Sequence, residues 1–108
     1  MVQIDNFASL PKIAYEDGQL IPIEHEKISH IIFKALKAAE NPDRLLALNL
    51  ADKVIYRLTI CNGVESPLSV EQVYSMMEFV LMESGNYKAA KEFSSNKQVN
   101  DPYSVQPI

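Results

Sequence analysis

The chain has no tryptophan, one cysteine, three glycines and two histidines among its 108 residues. Each shortage removes a class of function. A single thiol, Cys61, leaves no intrachain disulfide and no cysteine cluster for a metal. It falls at the end of an apolar helical run, so a buried, inert thiol is expected there. Gly18, Gly63 and Gly85 lie too far apart to form a phosphate-cradling glycine loop between a strand and a helix. His25 and His30 stand about 140° out of register on a helix, so they do not face one metal ion and are expected at the surface. The serines fit neither a nucleophile elbow nor a lactamase pattern.

Positive charge is also short. Ten basic residues stand against fourteen acidic ones, for a net charge of −4, and the basic residues are scattered. That argues against nucleic acid or an anionic membrane as the main partner, while leaving room for a local basic pocket. No apolar run approaches the length that spans a bilayer, and Met1–Leu10 lacks the charged-then-apolar pattern of a signal peptide. A cytoplasmic location is therefore expected. Nothing assembles a nucleophile, a base and an orienting group, so an enzyme in its own right is not expected.

What is present is a hydrophobic content of 47% with 22% charged residues, enough for one folded domain with a modest core. Residues 1–11 read as an N-terminal arm that offers Phe7 and Leu10 to the domain, residues 12–97 as the domain, and 98–108 as a tail. The tail carries two prolines and no periodicity, and is expected to be disordered or draped on the surface. Asp17-Gly18, between Lys12–Glu16 and Gln19–Ile23, reads as the two-residue turn of a β-hairpin. Pro22 donates no ladder hydrogen bond, which places its strand at an edge.

Four helices follow. The first, over 24–39, aligns Ile28, Ile32, Ala35, Leu36 and Ala39. For the second, Asn41 is expected to cap, Pro42 to open the first turn and Asp43 to face the dipole. Its inner face reads Leu45, Leu48, Ala51, Ile55 and Leu58, broadened by Leu46, Leu50, Val54 and Ile60, so it is expected to be the most buried helix; it stops near Asn62-Gly63. Ser69 and Gln72 form a capping box before the stripe Val73, Met76, Met77, Val80 and Leu81, which ends at Ser84-Gly85. Asn86 is expected to cap a fourth helix with Tyr87, Ala90 and Phe93 inward. The architecture implied is α+β: a small two- to three-stranded sheet capping a four-helix bundle.

Glu24 and Glu26 are ordinary dipole partners in a first helical turn. Lys27 is not, because the dipole prefers acids at that end. Either it pairs with Asp17, Glu24 or another neighbour, or it holds an anion such as phosphate together with the hairpin backbone.

Three motifs match a known pattern: Asp17-Gly18; Ile23 with Lys27-Ile28; and Ser69-Val70-Glu71 leading to Gly85-Asn86-Tyr87-Lys88-Ala89-Ala90-Lys91. In this order, over about Lys12 to Lys97, the chain resembles the ATP-cone domain. That module occurs at the N-terminus of many ribonucleotide reductases and in a bacterial repressor of their genes. The resemblance implies about three strands over four helices, with the third near Glu65–Leu68. It implies ATP or dATP as an allosteric effector, Mg²⁺ accompanying the nucleotide, and a protein partner or self-association changed by it. The nucleotide-binding candidates it implies are Tyr15, Glu16, Asp17, Gly18, Lys27, Tyr74, Lys91 and Lys97, the lysines being suited to phosphate.

The sequence also departs from the family pattern. Tyr15-Glu16 stand where the family usually carries Lys-Arg ahead of Asp-Gly. A carboxylate there repels a triphosphate by a few kcal/mol at an effective dielectric near 20. Ile23-Glu24 stand for Phe-Asp, and Val70 and Tyr74 occupy helix positions that elsewhere offer hydroxyl or imidazole. Phe93-Ser94-Ser95-Asn96-Lys97 replaces an aromatic-rich helix ending. Two readings stay open: a nucleotide-sensing regulator linked to ribonucleotide reductase, or a degenerate cone that acts as an interaction and assembly module. At 108 residues the chain is too short to hold a reductase, which leaves a free-standing module or a piece of a longer protein.

Overall fold

A computed structural model describes residues 11–15, 17–63 and 66–96. Three short strands form one sheet in the order β2-β1-β3: β1 (Lys12–Ala14), β2 (Leu20–Pro22) and β3 (Leu68–Ser69). β1 pairs antiparallel with β2, Ile13 opposite Ile21, and parallel with β3, Ile13 opposite Leu68. Pro22 lies on the edge strand, where its missing N–H costs no pairing. The third strand falls a little later than Glu65–Leu68; Val64 and Glu65 lie outside the described residues.

The hairpin turn is longer than two residues. Tyr15 N–H donates to the Gln19 carbonyl and Gly18 N–H to the Tyr15 carbonyl, both at 2.9 Å. Three residues, 16–18, therefore span the turn, and Gly18 takes the left-handed position at φ 89°. That is the three-residue loop in which glycine follows a tight turn. Asp17 Oδ1 accepts from Gln19 N–H at 2.9 Å and steadies it.

Helix α1 (His25–Ala38) buries Ile28, Ile31, Ile32, Ala35 and Leu36. It closes with Glu40 N–H on the Lys37 carbonyl and Asn41 N–H on the Leu36 carbonyl, and Glu40 takes φ 66°. Asn41 is thereby used in ending α1. The cap of α2 (Arg44–Asn62) falls to Asp43, whose Oδ1 accepts from Leu46 N–H at 3.0 Å. The expected Asn41–Pro42 start is displaced by two residues for that reason.

α2 is not the most buried helix. It buries Ala47, Leu50, Ala51, Val54 and Leu58, but Leu45 is 68% exposed, and Leu48, Tyr56 and Ile60 also face outward. Its apolar residues run all the way round, and only the side against α1 and α3 is covered. Cys61 lies on the uncovered part and is exposed, against the expectation of a buried thiol.

β3 passes into α3 (Val70–Glu83) without an intervening residue. The capping box forms as the sequence implies: Gln72 N–H donates to Ser69 Oγ at 3.0 Å, and Ser69 N–H donates to Gln72 Oε1 at 2.8 Å. Val73, Met77, Val80 and Leu81 are fully buried, and Gly85 ends the helix at φ 85°. α4 (Tyr87–Asn96) buries Ala89, Ala90 and Phe93, whereas Tyr87 is 66% exposed and does not join the inner face. Each helix packs on two others, α1 on α2 and α4, α3 on α2 and α4, which closes a ring around one core. Ile13, Ile23 and Leu68 plug its sheet end. The arm before Pro11 and the tail 98–108 lie outside the described residues; Pro11 itself is buried, and its carbonyl accepts from Ile23 N–H at 3.3 Å.

Candidate functional site

The connections set which ends meet. α1 leaves β2 and α3 leaves β3, so both helices start at the sheet. Phe93, near the end of α4, packs its ring edge-on to Tyr74, in the second turn of α3, with centroids 5.7 Å apart. α4 thus runs back toward the sheet. The sheet end carries the first turns of α1 and α3 and the C-terminal half of α4; α1 starts from the Lys12–Pro22 end of the strands, and the hairpin turn lies at their other end, where α3 starts.

Most of the sequence-nominated residues fall there. Asp17 and Gly18 are exposed at the hairpin turn, and Tyr15 is half-buried at the end of β1 with its ring against the core. Lys27 is half-buried in the first turn of α1. Tyr74 is 4% exposed and belongs to the core, which gives its ring a packing role. Lys91 is exposed on α4, two residues before Phe93. Glu16 and Lys97 lie outside the described residues.

The start of α1 is built unlike that of α3. Glu24 occupies the cap position in extended backbone and makes no side-chain capping bond. Helix geometry gives the first backbone N–H groups of α1 no backbone acceptor within the helix. The positive end of the helix dipole is directed at the hairpin junction beside a lysine, a combination that suits an anion.

Sequence reasoning missed two arrangements. His25 Nε2 lies 2.7 Å from Asp52 Oδ1 and 3.3 Å from the Leu48 carbonyl, so the residue expected as a plain surface histidine ties α1 to α2. Arg57 pairs with Glu83 at 2.6 Å and covers the Phe79 ring at 5.6 Å. Partners this distant along the chain carry no local signal in one sequence. Arg57 and Phe79 also border an open groove of about 690 Å³ between α2 and α3, with Cys61, Gln72 and Met76. None of the nominated residues among those described lines it. Among the described residues no group of three or more His, Cys, Asp or Glu is placed to hold a metal, and no helix is long and apolar enough to cross a membrane.

Comparison with known proteins supports the fold. The vitamin B12-dependent ribonucleoside-diphosphate reductase of Thermoplasma acidophilum is 37% identical over 75 residues, which is 69% of this chain and 9% of that protein. The chain thus corresponds to a small part of that relative's length. A family model described as the ATP cone domain matches residues 11–101, from the residue before β1 to beyond α4. With its sheet-fronted ring of four helices and this match over most of its length, the chain belongs to the ATP cone domain family.

Proposed function

We propose that this chain is a regulatory module that binds ATP or dATP as an effector at the junction of the hairpin and α1, and that it serves ribonucleotide reduction in the cytoplasm. Family membership and the likeness to a reductase support the reading. The observation that carries it is the start of α1, where an uncapped first turn and Lys27 stand together just after β2. In this reading the phosphates meet the α1 N–H groups and the Lys27 ammonium. Lys91 adds charge from α4, and Lys97 is a further phosphate candidate by its residue type. Mg²⁺ held by nucleotide phosphates and water needs no protein cage. Tyr15-Glu16, where the family usually places two cations, tunes affinity downward.

Titration calorimetry with ATP and dATP tests the reading. Saturable binding that Lys27→Ala weakens at least about tenfold supports it. A native circular dichroism spectrum with no heat at millimolar nucleotide overturns it. The second reading, an assembly module without nucleotide, is favoured by the exposed apolar residues Leu45, Leu48, Tyr56 and Ile60 on one helix. Concentration-dependent self-association or partner binding, unaffected by nucleotide, is its signature.

A further inference from the structure

We propose that His25 is the positioning residue of the nucleotide site, holding the first turn of α1 against α2 so that its N–H groups and Lys27 meet the phosphates in a fixed geometry. The inference rests on the nucleotide reading given above. α1 begins without a side-chain cap. Two attachments hold its first turn to the rest of the fold. Ile28 is fully buried beneath the turn, and His25 reaches across to α2. Its Nε2 faces two acceptors, Asp52 Oδ1 at 2.7 Å and the Leu48 carbonyl at 3.3 Å. A nitrogen that faces only acceptors carries the proton, so it donates to both.

The far end of the α1–α2 pair is fastened as well. The Arg44 guanidinium lies 4.4 Å over the Phe33 ring, so α2 is a braced support and not a loose partner. On an α-helix Lys27 stands about 200° round from His25. The clamp therefore grips the turn from the α2 side, on a different face from Lys27. Holding a binding group in its bound geometry raises affinity by removing an ordering cost.

ATP titration of the full chain and its variants tests this, with thermal unfolding followed by circular dichroism on each. His25→Ala is expected to weaken ATP binding about tenfold, the worth of one hydrogen bond to a charged group. His25→Gln, which keeps an N–H donor, is expected to recover most of that loss, a rescue that simple packing would not give. Asp52 is exposed, so Asp52→Ala folds and is expected to weaken binding by a few-fold; in the His25→Ala background it adds nothing further. Dissociation constants within twofold of wild type for both His25→Ala and Asp52→Ala, while Lys27→Ala still loses binding, overturn the inference and leave the nucleotide reading standing. A wild-type chain that binds no ATP overturns both.

Discussion

α1 and α3 both leave the sheet close to a strand, and they are built to different standards. α3 follows β3 directly, with Ser69 and Gln72 bonded in a reciprocal capping box over a floor of Leu68 and Val73. α1 follows Ile23 and Glu24 with no side-chain cap at all. The same contrast recurs at their other ends. Both close with the same pair of backbone bonds, but α3 places Gly85 at the left-handed residue and α1 places Glu40, where a side chain is strained. One helix carries a side-chain cap at its start. The other has none.

If α3 is the structural start and α1 the binding start, substitutions should separate into two columns. The largest effect belongs to the floor of α3: Leu68→Ala is expected to cost about 3 kcal/mol of stability by denaturant unfolding, because a fully buried side chain leaves a cavity. Ser69→Ala comes next, at about 1 kcal/mol, with ATP affinity unchanged. Glu24→Ser supplies the missing cap of α1 and reverses the pattern. It should gain about 0.5 kcal/mol while weakening ATP binding by competing for the same N–H groups. A Glu24→Ser variant that binds ATP as well as wild type would break the comparison. Smallest is Glu40→Gly, expected to gain roughly 0.5 kcal/mol by relieving the left-handed strain, less the little contributed by its exposed 3.9 Å pair with Lys88.

The parts legible in the sequence were those fixed by neighbours along the chain. Ser69 and Gln72 are three residues apart, so their reciprocal bonds could be read directly, and Gly85 marked an ending because the left-handed region favours that residue. Where two local devices competed for one residue, reading failed. Asn41 is a good cap, but the closing turn of α1 takes it, and Asp43 caps in its place. Burial on α2 was overread because its apolar residues surround the helix, and periodicity says nothing about which side finds a neighbour. Tyr74 did carry a signal. It shares a helical stripe with Met77 and Leu81, and its ring is in the core with theirs. His25 and Asp52 had none, because their meeting depends on how two helices pack.

Ser69 holds two posts at once. Its backbone pairs with Ala14 of β1, and its hydroxyl secures the first turn of α3. Ala14 is followed at once by Tyr15, whose backbone anchors both ends of the hairpin turn. The hairpin turn is therefore fastened next to the first turn of α3, at the end of the strands away from the start of α1.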